Sequence, residues 1–86
     1  MISALPKGFS HPVRIGAGSF ASVYRARQAA LDRWVAVKII YQRDKRKRAE
    51  LLREARTQAG IKADCIPMVY DAFEWRKSVC IVMQWI

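Results

Sequence analysis

One histidine and two cysteines in 86 residues leave little material for a metal centre or a disulfide framework. Cys65 and Cys80 are not at metal-ligand spacing, and His11 has no ligand partner near it in sequence, so no metal site is expected in this chain. Both cysteines read as reduced, half-buried fillers, and His11 as a strand or turn residue. No run approaches the roughly 18 uninterrupted apolar residues of a membrane span. Met1 to Lys7 lacks the charged start and apolar stretch of a secretory leader, so the expectation is a cytoplasmic segment with no membrane part. Internal repeats and low-complexity tracts are also missing. Acidic residues are scarce, 7 against 16 basic, which gives a net charge of +9 and a pI near 10.3.

What is present fits one small domain spanning 1–86, with 52% hydrophobic residues. A chain of this size buries only about 60 to 65% of its unfolded surface, so it is marginal alone and is expected to need a neighbour.

The punctuation places the elements. Pro6, Gly8 and Pro12 mark an irregular approach, followed by a first strand over about 13–17 and a return strand over about 22–29. Leu31-Asp32-Arg33 turns the chain into the β-branched run Trp34 to Tyr41, suited to a central strand. The pattern then changes period. Asp44 is the expected N-cap of a helix ending near Gly60, with Leu51, Glu54, Ala55 and Gln58 at i, i+3, i+4 and i+7 along one face. Pro67 opens a strand over 68–73, Arg76-Lys77 turns it, and Val79 to Met83 reads as a buried strand.

Two segments describe one anion site. The turn Gly16-Ala17-Gly18-Ser19-Phe20-Ala21-Ser22-Val23 allows backbone amides to approach phosphate oxygens, and Lys38, in Val35-Ala36-Val37-Lys38, supplies a point charge from a nearby strand. A dinucleotide fingerprint needs its glycine turn to open a helix, whereas Ser22 to Gln28 alternates, with Val23, Arg25 and Arg27 on one side and Tyr24, Ala26 and Gln28 on the other. A P-loop ends in Gly-Lys-Ser or Gly-Lys-Thr, and here the residues are Ala21-Ser22-Val23. The turn therefore joins two antiparallel strands and lies over a ligand as a flap. Glu54, sixteen positions after Lys38, shares a helix face with Leu51 and Ala55, so docking that face on the sheet carries its carboxylate toward the lysine. Glu50, one turn earlier, is the competing candidate, which Arg46 or Arg53 could satisfy at the surface instead.

The glycine turn with its trailing Val23, the Val-Ala-Val-Lys strand and the string Arg53-Glu54-Ala55 together resemble the small lobe of a eukaryotic-type Ser/Thr protein kinase, of the kind found in bacteria. The resemblance runs to the end of the chain, through Pro67 to Glu74 as the fourth strand and Ile81 to Ile86 as the fifth strand and hinge. It implies an α+β fold, a five-stranded antiparallel sheet with one helix packed on it. It also implies ATP as ligand, with Lys38 and Glu54 as the catalytic pair that anchors phosphates. Ile15, Gly16, Ala17, Gly18, Ser19, Phe20, Ala21, Val23 and Ala36 would cover the nucleotide, with Met83 as gatekeeper and the backbones of Gln84 and Ile86 at the adenine edge. Ile15, Val23 and Ala36 are equally what a sandwich core would show.

Some positions depart from the family pattern. Ala21 replaces the third glycine, which stiffens the flap; Ala63-Asp64-Cys65 stands where a His-Pro-Asn turn is common; and Gln58 takes a position commonly apolar. The catalytic loop and the Asp-Phe-Gly magnesium ligand belong to a large lobe absent from these residues, so the chain is expected to be inactive alone, with Mg2+ held by that lobe. The kinase reading implies that large lobe and a protein substrate as partners. A terminus cut at the hinge is also expected to self-associate through Met83, Trp85 and Ile86.

Arg43, Lys45, Arg46, Lys47 and Arg48 crowd the helix start, where positive charge opposes the macrodipole. This is either a solvated face or a surface for an anionic partner such as a phosphorylated segment. The alternatives to a kinase lobe are a pseudokinase lobe serving as a partner surface, or a basic nucleic-acid module. The aromatics lie apart from the 43–48 cluster, which argues against nucleic acid.

Overall fold

Alternation of branched apolar residues with polar ones over the first half of the chain produces three adjacent antiparallel strands. In the computed structural model, which describes residues 5–18, 21–58 (Gln58 by its backbone alone) and 68–85, these are β1 (Phe9–Ala17), β2 (Ala21–Gln28) and β3 (Arg33–Tyr41). A 3-10 turn over Ala29–Leu31 links β2 to β3, closed by Asp32 in the left-handed region, φ 49°, whose carboxylate pairs with Arg27. Helix α1 (Lys45–Gln58), β4 (Val69–Glu74) and β5 (Ser78–Gln84) follow, and the sheet order is β1-β2-β3-β5-β4 with every pairing antiparallel.

β3 is central, and its two faces meet different neighbours. Val35 and Val37 are fully buried with Leu5, Ala26, Cys80 and Val82, while Phe9, Tyr24, Ile39, Tyr70, Phe73 and Trp75 close around them. Each buried valine contributes about 1.5–3 kcal/mol relative to exposure. On the other face stand Ala36, Lys38 and Ile40, and α1 docks at that end of the sheet over β4 and β5. Ala55 is the helix residue most deeply buried there, as its place on the apolar row requires.

Asp44 caps α1: its Oδ1 accepts from the amides of Arg46 (2.9 Å) and Lys47 (3.4 Å), worth about 1 kcal/mol. With no acidic residue in the first turn, this carboxylate supplies the charge that the macrodipole favours. The β4–β5 hairpin turns on Arg76 (φ 49°) and Lys77 (φ 56°), with paired hydrogen bonds between Trp75 and Ser78. Two successive left-handed residues define the turn whose twist suits a tight hairpin, here built without glycine.

Two expectations are corrected. The first strand begins at Phe9 rather than near 13, because Pro12 is tolerated on an edge strand and His11 (φ 53°) accommodates a bulge between Ser10 and Val13. Cys80 is fully buried rather than half-buried, since it faces the Val35–Val37 side of the sheet at its centre; it is a free thiol. Other boundaries agree within a residue or two. The expectations for Gly60, the 63–65 turn, Cys65, Pro67 and the Gln58 side chain lie outside the described residues, as do those for Ser19, Phe20 and Ile86.

Candidate functional site

The glycine turn connects β1 to β2 as a strand-to-strand flap. Gly16 lies opposite Val23, Ala17 opposite Ser22, and the amide of Gly18 donates to the carbonyl of Ala21 at 2.8 Å. Neither Gly16 nor Gly18 needs to be glycine for the chain's own sake. A Cβ on Gly16 would meet nothing within 4 Å, one on Gly18 would meet only the Ala21 carbonyl at 3.9 Å, and neither residue has a positive φ that would demand glycine. Gly8 is the contrasting case, at φ 102° in the turn before β1. Two glycines that the fold does not require, two positions apart on an exposed flap, leave room for another molecule to approach the backbone.

The strand register then collects the apolar and cationic side chains below this flap. Val23 is paired with Lys38, Lys38 with Ile81, and Ala36 with Met83, so all five share one face of the sheet. Ile15, on β1, is 47% exposed. Gln84 ends β5 with its amide donating to the Met68 carbonyl at 2.8 Å, and its side-chain oxygen accepts from the Met68 amide at 3.3 Å. That amide is therefore committed to the sheet and is not a free donor.

Lys38 and Glu54 line a single cavity of about 260 Å³ with Ile40, Leu51, Ala55 and Ile81. The carboxylate comes from α1 and the ammonium from β3, and the apolar walls are the docking surface between helix and sheet. Among the described residues the ion pairs within 4.0 Å are Arg27–Asp32 and Arg48–Glu74, so Lys38 and Glu54 share the space without closing a pair. Glu50 does not reach this cavity; it lines an outer groove of α1 with Arg53, Glu54 and Thr57.

The basic cluster divides in two. Arg43, Lys45, Arg46 and Lys47 are exposed, as a solvated or partner-seeking face requires. Arg48 is not part of that face. Its side chain is only 13% exposed, its Nε donates to Glu74 Oε1 at 3.2 Å, and its Nη1 donates to the carbonyls of Gln42 (2.8 Å) and Arg43 (3.0 Å). It ties the start of α1 to β4 and to the segment leaving β3. Nothing local in the sequence announces this role, because Glu74 lies 26 positions away.

A five-stranded antiparallel sheet carrying one helix, with a flap, a strand lysine and a helix glutamate gathered on the helix-bearing face, is the architecture of a kinase small lobe. The protein kinase domain matches residues 9–86, and the chain belongs to that family, forming its N-terminal lobe. No curated protein matches the sequence.

Proposed function

We propose that this chain is the ATP-binding lobe of a Ser/Thr protein kinase, working in the cytoplasm with a large lobe that completes the enzyme. The observation that carries this reading is the shared cavity of Lys38 and Glu54 beside a flap whose glycines the fold does not itself need. In it, the amides of the 16–21 turn cover the phosphates and Lys38 holds them by charge. Ile15, Val23 and Ala36 lie above the base, with Met83 behind it. Glu54 orients Lys38 when the two close a pair across the cavity they both line. Among the described residues no group of three or more His, Cys, Asp or Glu gathers to hold a metal, and in this reading the large lobe supplies the Mg2+ ligands and the residue that handles the substrate hydroxyl. ATP supplies the transferred phosphoryl group; the lobe's own work is to position it.

Lys38→Met in the full-length protein removes the charge and keeps the strand. Phosphotransfer to Ser/Thr peptides is expected to fall at least about 100-fold with little change in thermal stability. Glu54→Gln is expected to lower activity less, and Glu50→Gln to leave it unchanged. Undiminished activity in Lys38→Met overturns the assignment, and a damaging Glu50→Gln overturns the choice of glutamate.

A further inference from the structure

On the flap-bearing face, toward the hinge end of the sheet, an arginine lies between two tryptophans. The Arg25 guanidinium carbon is 4.5 Å from the Trp34 ring centroid and 6.0 Å from that of Trp85. Arg25 lies on β2, Trp34 is the second residue of β3, and Trp85 follows the last residue of β5, so one side chain links three strands. The register explains how it can. Arg25 is opposite Ala36, and Ala36 is opposite Met83, so an arginine reaching Trp85 must cross β3 at its smallest side chain. Adjacent strands are about 4.8 Å apart, and the small side chain at that crossing leaves a path. Ala36 is accordingly just 7% exposed, although α1 covers the other end of this face.

The Nε of Arg25 is buried without a hydrogen-bond partner. A guanidinium is normally fixed by carboxylates or carbonyls; here it lies over two indole rings, Trp34 closely and Trp85 at longer range, which suits a planar, weakly hydrated cation better than an ammonium. Arg27 adds a second cation 5.5 Å from the Trp34 ring, and His11 meets the same ring edge-on at 6.5 Å. Trp34 is thus held on several sides, whereas Trp85 is held on this face by Arg25.

We infer that Arg25 is a positioning residue for the nucleotide: lying between Trp34 and Trp85, it fixes the end of β5 that would border the base. The inference rests on the proposed ATP site. A hinge whose middle side chain is unpinned samples more backbone conformations, so a ligand must order it at the expense of affinity. The rate of the chemical step, set by Lys38 and the large lobe, is untouched.

The test is steady-state kinetics of the full-length kinase with Arg25→Met, Arg25→Lys and Trp85→Leu. Arg25→Met preserves side-chain length and is expected to raise KM for ATP about fivefold, with kcat within twofold. Arg25→Lys, which keeps the charge but not the plane, is expected not to restore KM. Trp85→Leu is expected to match Arg25→Met, and the double variant to be no worse than either alone, because both remove one contact. A residue serving stability alone would lower the active fraction and hence apparent kcat, leaving KM in place. An unchanged KM in Arg25→Met, full rescue by lysine, or additive single effects overturns the inference. Lys38→Met separates the two levels: if it abolishes phosphotransfer while Arg25→Met leaves KM alone, only the hinge role fails, and if it has no effect, both fail.

Discussion

Removing Arg48 should cost more than removing any neighbour in the basic cluster, and the structure sets the size of the difference. Two hydrogen bonds run from its guanidinium to the carbonyls of Gln42 and Arg43 in a side chain only 13% exposed, and truncation leaves both carbonyls short of a donor. A charged donor in such a setting contributes about 1–1.5 kcal/mol per bond. The pair with Glu74, itself 45% exposed, adds about 0.5 kcal/mol after solvent screening. The expected loss for Arg48→Ala is therefore about 3 kcal/mol. In a domain of this size that lowers the Tm by about 12–24 °C. Lys45→Ala, Arg46→Ala and Lys47→Ala, whose side chains are exposed, should each stay within about 0.5 kcal/mol. Denaturant unfolding of the four variants, with Glu74→Ala and the Arg48→Ala/Glu74→Ala double variant as a cycle, measures both the total and the roughly 0.5 kcal/mol coupling. If Arg48→Ala costs no more than Lys47→Ala, the guanidinium is not an anchor and the carbonyls find water instead.

Lys77→Gly should stabilise the protein by about 1 kcal/mol, since glycine adopts φ 56° without the Cβ penalty and the Lys77 carbonyl keeps its bond from the Gln42 amide; thermal unfolding against Lys77→Val, expected to destabilise, checks the sign. Burial, with a smaller contribution from the Asp71 charge, pushes the Cys80 thiol up from an ordinary 9.0 to about 12. The folded form then retains a proton that the unfolded form releases, so this group's contribution is complete below pH 9.0 and falls by about 1.4 kcal/mol per pH unit between there and about 12. Cys80→Ala should flatten that part of the alkaline stability profile. An unchanged slope refutes the burial argument.

The parts of this fold that were legible in the sequence share a property: each is specified by neighbours close along the chain. The helix start at Asp44, the turn at Arg76-Lys77 and the alternation along β2 depend on spacings of two to four residues, and the structure places them where that spacing puts them. The start of β1 was misplaced because Pro12 reads locally as a strand breaker, and only its position at the sheet edge, a tertiary fact, makes it acceptable. Cys80 was placed too near the surface for a related reason. Nothing around it in sequence says that β5 runs between β3 and β4, where a residue on the Val35–Val37 side has no exposure left.

The site divides along the same line. Sixteen residues separate Lys38 from Glu54, but strand and helix periods carry direction over that distance, so the face each residue occupies follows from phase alone, and both line one cavity. Arg25, Trp34 and Trp85 had no such clue. Alternation puts Arg25 on the Val23 side, yet which side chain lies across from it depends on β3 and β5 being neighbours in a particular register, and that register pairs Ala36 with Met83 and Val35 with Gln84, residues far apart in sequence. An arginine in a strand reads as a solvated charge until the smallness of Ala36 becomes visible as an opening between β2 and β5. The same alanine that would leave room for a base beneath the sheet therefore also leaves room for the guanidinium, so any larger residue at position 36 should disturb base and hinge together.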